Sequence, residues 1–365
     1  MGEYKGKYTY EGNPHDGDPY RAAYLESVKR FIANGNAECA KTKVAIGEFG
    51  EGEAFMPPEK LIENPEKYRL ALLDMVGAPF GNAYPQNVPT FSQDYVATDD
   101  MCEIYRLKVE VMQDFFFYGI LMKPIGIKEK TPLIVAQHGG GSLPEVCTDM
   151  NGTSVYGQFA RRALERGCTV FVPQLLLWTF DMDVGEKRVA VDLPYKRRDV
   201  DYSLRAMGLS ITGLEIFCIR RSIDALSAEE YIDENRIGMM GLSYGGYYTL
   251  YTAALDTRIK SAYAAGFYND RRHVAFNDWK YTEYFPDLSD AQASGLVAPR
   301  RLAVDVGKTD PVFDFSRAPD EADRARIYFD AYGAKDNFRF TLWPGGHKFD
   351  ESGEGFEYFF AGLGL

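Results

Sequence analysis

Asn235-Arg236-Ile237-Gly238-Met239-Met240-Gly241-Leu242-Ser243-Tyr244-Gly245-Gly246-Tyr247-Tyr248-Thr249-Leu250-Tyr251-Thr252-Ala253-Ala254 reads as a short strand, a sharp turn and a helix. A serine hydroxyl is a poor nucleophile unless its oxygen is exposed, a base stands beside it and donors face the developing oxyanion. A turn with Ser243 at its apex supplies the exposure and the donors together. Gly241 and Gly245 let the turn close without side-chain clashes, and the Tyr244 N–H points from the helix start toward the oxyanion. G-x-S-x-G also occurs in ordinary turns, so its weight depends on what surrounds it.

Working outward, 133–136 is a continuous apolar run of the kind buried on both faces of a sheet, 168–173 reads as a second buried strand, and 259–265, 301–306 and 338–342 read as further strands. Helical patterns fall between and after them, at 156–166, 212–226, 318–332 and 356–361. Residues 105–111 alternate with period two and 115–122 form a second apolar segment, which together suit an antiparallel edge hairpin. Strands alternating with helices imply right-handed crossovers, hence an α/β fold with a mostly parallel central sheet flanked by helices.

Residues 1–100 lack that β-texture. Asp18 caps a helix through Tyr20, Tyr24, Val28 and Phe31 that stops at Gly35; Asn64-Pro65 opens a second, through Tyr68, Leu72 and Met75, that stops at Gly77. The expected organisation is a helical N-terminal extension, 1–100, packed on a catalytic domain, 101–365. A linker lies at 77–89 and insertions near 174–205 and 266–295.

The 365 residues are enough for one large domain with an accessory segment, and 45% hydrophobic content allows a substantial core. A net charge of −12 opposes binding to nucleic acid or to an anionic membrane surface. The five cysteines are odd in number and scattered, so a disulfide framework is not expected and a reducing, cytoplasmic location is the simpler expectation. No apolar run is long enough to span a bilayer.

In a doubly wound sheet, reactive groups gather in loops at the carboxyl ends of strands. Asp310 follows the 301–306 strand in Gly307-Lys308-Thr309-Asp310-Pro311, and His347 follows the 338–342 strand in Trp343-Pro344-Gly345-Gly346-His347. The glycine loop Gln137-His138-Gly139-Gly140-Gly141 follows the 133–136 strand. The order is Ser243, Asp310, His347, with room for about two βα units and then one. His347 would act as base and Asp310 would fix its tautomer. Asp305 and Asp314 are rival acids, and His15, His138 and His273 fit the base less well.

The oxyanion donors are expected to be the N–H groups of Gly140 and Tyr244, with Gly139 or Gly141 open in place of Gly140. His138, Gly139, Gly141, Trp178, Tyr268 and Trp279 are expected to line the substrate cleft, where polar and aromatic side chains from the two insertions suit a hydroxyl-rich ligand. Gly307-Lys308-Thr309 is no phosphate loop, because Leu302 stands where its first glycine belongs, and no Cys/His spacing predicts a metal site.

With these motifs in place, residues from about Tyr105 to Leu365 resemble the α/β-hydrolase superfamily, in its dienelactone hydrolase and acetyl xylan esterase-like branch. The motifs are the 137–141 glycine loop, the 241–246 elbow, Val297-Ala298-Pro299-Arg300, Gly307-Lys308-Thr309-Asp310 and Gly345-Gly346-His347. The resemblance implies hydrolysis of acyl esters without a cofactor, often of acetylated carbohydrates, so the expected partner is a small-molecule or carbohydrate ester. The elbow is also similar to that of prolyl oligopeptidase-type enzymes, which act on short peptides. Those carry a β-propeller that about 100 helical residues cannot build, since a blade takes about 40–45 residues. A noncatalytic ligand-binding protein of the same fold is a further alternative, though one with no need of a whole triad.

Overall fold

The computed structural model describes residues 12–35, 57–150, 156–177, 181–184, 187–190, 196–270, 279 and 288–365. Its strands are β1 (Phe91–Thr98), β2 (Cys102–Met112), β3 (Phe115–Pro124), β4 (Thr131–Gln137), β5 (Thr169–Pro173), β6 (Asp181–Val184), β7 (Lys187–Ala190), β8 (Ile232–Leu242), β9 (Ile259–Ala265), β10 (Arg301–Gly307) and β11 (Phe338–Trp343). Its helices are α1 (Asp18–Gly35), α2 (Pro58–Glu63), α3 (Pro65–Met75), α4 (Pro144–Cys147), α5 (Phe159–Leu164), α6 (Arg197–Arg205), α7 (Ile211–Ser227), α8 (Tyr244–Leu255), α9 (Asp290–Val297), α10 (Ala318–Ala331) and α11 (Glu354–Ala361).

Nine strands make one sheet in the order β1-β2-β3-β5-β4-β8-β9-β10-β11, and β6 and β7 form a separate hairpin. From β5 to β11 all neighbours are parallel, whereas β1, β2 and β3 join antiparallel at one side. β4 and β5 are buried along their whole length, the reason their sequences are continuous apolar runs.

Strand order decides where a ligand can lie. From β4 the chain first crosses to β5 on one side and then returns to β8 on the other. The helices on either side of that reversal diverge, leaving a crevice beyond the carboxyl ends of β4 and β8. Gln137, at the end of β4, pairs with Gly241 of β8, so the glycine loop and Ser243 emerge side by side. Leu242 pairs with Ala265, Asp305 also pairs with Ala265, and Gly307 pairs with Trp343. The carboxyl ends of five neighbouring strands are therefore level.

The amino-terminal helices cover parts of this layer. Tyr24 of α1 meets Phe117 of β3 edge-on at 5.1 Å between ring centroids, and Tyr20 stacks on Tyr118 at 5.3 Å. Arg69 of α3 donates to the carbonyls of Ala254 and Leu296 at 3.1 Å each, placing a cation at the carboxyl ends of α8 and α9.

Three expectations need correction. The β2–β3 hairpin is antiparallel but is not the edge, because β1 pairs outside it. β1 lies within the residues expected to be helical or linking, and most of it is exposed, so it carries no alternation to read. The 266–295 insertion includes the start of α9, which runs on to Val297 and whose eight residues are all buried and so show no amphipathic stripe. No helix among the described residues is long and apolar enough to cross a membrane.

Candidate active site

Ser243 sits between β8 and α8 with φ 63° and ψ −123°, a conformation that costs a residue with a side chain about 1–3 kcal/mol. The surroundings impose it. Ser243 N–H donates to the carbonyl of Ala265 at 2.7 Å, and Ser243 C=O accepts from Tyr247 N–H at 3.0 Å. The turn closes only with glycine beside it: a Cβ on Gly245 would lie 2.1 Å from the Gln137 carbonyl oxygen, and one on Gly241 would lie 2.3 Å from that of Gly245. Tyr244 then opens α8, and first-turn N–H groups have no intrahelical partner and point out along the axis.

Opposite Ser243 lies the glycine loop. A Cβ on Gly139 would stand 3.2 Å from Ser243 Cβ, and one on Gly140 would stand 3.3 Å from the Tyr244 ring. Its N–H groups differ in what they can still do. Gly139 N–H donates to Tyr156 Oη at 2.9 Å, and Gly141 N–H to the Leu177 carbonyl at 2.7 Å. Among the described residues none accepts from Gly140 N–H. The alternatives Gly139 and Gly141 are thus committed elsewhere, leaving Gly140 as the available donor.

His347 Nδ1 and Asp310 Oδ2 are 2.7 Å apart. A carboxylate only accepts, so Nδ1 carries the proton and Nε2 keeps its lone pair for a hydroxyl. Asp310 Oδ1 accepts from the N–H groups of Val312 (2.7 Å) and Phe313 (3.1 Å). Burial alone would raise the Asp310 carboxyl. The His347 bond and the two N–H donors override it and hold the group below the usual carboxylate range. The Phe313 ring stacks on the imidazole at 5.5 Å and 24°.

The Asp310 and His347 loops are stitched together by Thr309 N–H to Gly345 C=O at 2.9 Å. The imidazole and the elbow meet across Gly266, which has φ +66°; a Cβ there would lie 2.9 Å from Leu242 and 3.4 Å from His347 Nδ1. Among the described residues no hydrogen bond joins Ser243 Oγ to His347. Such bonds often tighten only with substrate bound.

The rival acids are placed elsewhere. Asp305 is fully buried, accepts from Tyr263 Oη and from Asp350 N–H, and is pushed up to about 6 chiefly by burial. Asp314 folds back on Ser316.

The expected cleft lining is only partly assembled. His138 is completely buried; its Nε2 accepts from Leu175 N–H at 2.8 Å and its Nδ1 lies 2.8 Å from the Gly139 carbonyl. Burial pushes it down to about 4, so it is a neutral strut behind the loop and not a cleft residue. Tyr268 is buried against α9 with its hydroxyl 3.1 Å from Ser294 Oγ, which corrects its assignment to the rim. Trp279, 1% exposed, stacks between Tyr247 (4.7 Å) and Phe313 (5.7 Å) and lies 4.5 Å from the Tyr244 ring. It forms the packed wall of the site instead of an open surface. Trp178 lies outside the described residues.

Tyr156, which accepts from the Gly139 N–H, and Phe313, which stacks on His347, are two neighbours of these groups with no role among the expectations from sequence. Phe313 stood two residues past Pro311 in a loop already singled out; Tyr156 carried no local signal. Among the described residues no three His, Cys, Asp or Glu side chains gather to hold a metal.

Residues 220–297, which span the elbow, match the model of the prolyl oligopeptidase family. A comparison of the sequence with curated proteins finds no match. Among solved structures, the chain is similar to a glucuronoyl esterase from Solibacter usitatus, with 15% identity over 89% of this chain and 99% of that one and a TM-score of 0.61. It is also similar to a glucuronoyl esterase from Teredinibacter turnerae, with 12% identity over 91% and 99% of the two chains and a TM-score of 0.59. A candidate acetyl xylan esterase from Bacteroides fragilis gives 14% identity over 84% and 80% and a TM-score of 0.60. Together with the strand order and the β8–Ser243–α8 turn, these likenesses establish that the chain has the α/β-hydrolase fold.

Proposed function

We propose that the protein is a serine hydrolase of carboxylic esters, with Ser243 as nucleophile, His347 as general base and Asp310 as the residue that orients it. The observation that carries this reading is the 2.7 Å His347–Asp310 bond next to a serine held at positive φ.

In the proposed reaction Ser243 Oγ attacks the ester carbonyl while His347 Nε2 takes its proton. The carbonyl oxygen becomes an oxyanion and receives the N–H groups of Gly140 and Tyr244. Asp310, kept ionised, stabilises the imidazolium. Collapse of the tetrahedral adduct breaks the C–O bond, His347 protonates the departing alcohol, and water activated by the same imidazole releases the acid. No cofactor enters this scheme.

Two of the similar proteins are named glucuronoyl esterases and one a candidate acetyl xylan esterase. A small or carbohydrate ester with a short acyl group is the substrate class proposed here. The prolyl oligopeptidase match supports a second reading, cleavage of short peptides.

An aryl phosphonate should phosphonylate the intact protein once, with loss of its aryloxy group as the phenol, and should leave Ser243→Ala unlabelled. Matched acetyl esters and short peptide amides then separate the readings. Turnover of the esters alone supports the esterase, and turnover of the amides replaces it with the peptidase. No labelling and no turnover beyond Ser243→Ala would overturn both.

A further inference from the structure

Arg21 belongs to α1, far along the chain from the site, yet it is 2% exposed and each edge of its guanidinium is engaged. Nη2 donates to Glu145, a carboxylate with no exposure that also accepts from Tyr118 Oη at 2.7 Å. Nη1 donates to the Pro14 carbonyl and to Asp18 Oδ1, both at 2.8 Å. Nε donates to Gln174 Oε1 at 3.0 Å.

Gln174, just beyond β5, passes the contact on. Its Nε2 lies 3.2 Å from His138 Nε2, which also accepts from Leu175 N–H at 2.8 Å. With Nε2 accepting, the His138 proton is on Nδ1, and that N–H donates to the Gly139 carbonyl at 2.8 Å.

The Gly139 carbonyl and the Gly140 N–H are two ends of one peptide group. A trans peptide is planar and its C=O and N–H point in opposite directions. Fixing the carbonyl from behind therefore aims the N–H forward, and a bonded carbonyl also polarises that N–H into a stronger donor.

We propose that Arg21 is a positioning residue for the oxyanion donor Gly140, acting through Gln174 and His138 on the plane of the Gly139–Gly140 peptide. The inference rests on the ester-hydrolase reading for its effect on turnover, but the bond chain itself does not depend on it. It makes the amino-terminal helix part of the apparatus that holds the oxyanion site, beyond its role in covering the sheet.

The link is cut most cleanly at Gln174→Met, which leaves the Arg21–Glu145 pair intact. Arg21→Lys keeps a positive charge beside Glu145 but cannot also reach Gln174. Arg21→Met combined with Glu145→Gln removes the pair without leaving the Glu145 carboxylate facing an uncharged residue 21, at the cost of the 3.8 Å contact between Arg106 and Glu145. All are measured on an aryl acetate with circular dichroism as the check of folding, and the protein is labelled with 15N for the His138 ring and the Gly140 amide.

The expected result is a kcat lower by about tenfold in Gln174→Met with KM within about twofold, since losing an oxyanion donor outright costs about 10²–10³-fold. Arg21→Lys does not restore it, and the His138 Nε2 and Gly140 resonances move. A folded Gln174→Met with kcat within twofold of the parent and both resonances unmoved overturns the proposal. If the parent hydrolyses no ester beyond Ser243→Ala, the ester-hydrolase reading fails by itself and the two resonances decide the relay.

Discussion

His347 Nδ1 donates to Asp310 Oδ2 at 2.7 Å, while Asp314, four residues further on, turns back on Ser316. An asparagine at 310 would offer an amide able to bond the other imidazole tautomer, placing the proton on the nitrogen that must receive it from Ser243. Asp310→Asn should lower kcat on an aryl acetate by about 10³–10⁴-fold with little change in KM. Asp314→Asn should stay within about twofold, its carboxylate being turned onto Ser316 and not onto His347. The reverse ranking in steady-state kinetics would reassign the acid.

Ser243, Asp310 and His347 were legible because each lies in the turn or loop that follows a strand, and parallel strands in register deliver such loops to one end of the sheet. Arg21, Gln174 and Tyr156 left no such trace. Their bonds to one another and to the glycine loop join residues from separate elements, such as Arg21 in α1 and Gln174 beyond β5, and long-range hydrogen bonding leaves no period in a sequence. Tyr268 and Trp279 were misread for a related reason. Aromatic residues in an insertion look like a ligand surface, but their large apolar area is equally suited to packing, and here both are 1% exposed. β1 was missed because its exposed faces impose no alternation.

The positive φ of Ser243 predicts a stability effect separable from chemistry. Both Ser243→Ala and Ser243→Gly should abolish turnover. Glycine alone relaxes at φ 63°, so Ser243→Gly should be the more stable of the two by about 1 kcal/mol. Urea unfolding of the pair measures this; equal midpoints and slopes would show that the elbow stores no strain.

His138 links stability to pH. Burial lowers it from an ordinary value near 6.5 to about 4 in the folded protein. Between those values the unfolded chain binds the proton that the folded chain refuses. Stability from this group is therefore fully present above about pH 6.5 and is lost as pH falls toward 4, by about 1.4 kcal/mol per unit. From pH 7 to pH 5 the parent should lose about 2 kcal/mol more than His138→Gln, which has nothing to titrate there. Identical losses in urea titrations at the two pH values would mean that His138 is protonated without cost.

Trp279 bridges the two halves of the site. Its ring stacks on Tyr247 of the elbow helix and on Phe313, which in turn stacks on His347. With Tyr244 at 4.5 Å, the indole stands between the rings beside the elbow and those beside the imidazole, so removing it should open room there for the acyl chain of a longer ester. Trp279→Ala removes that volume at a folding cost of about 3–5 kcal/mol, and Trp279→Leu removes part of it at a lower one. Pockets discriminate a methylene by roughly 10–200-fold, so either variant should raise kcat/KM for an aryl butyrate relative to the acetate by about tenfold or more. An unchanged ratio in a folded variant would place the acyl chain against another wall, with Trp279 then serving only to support Phe313 and, through it, the His347 ring.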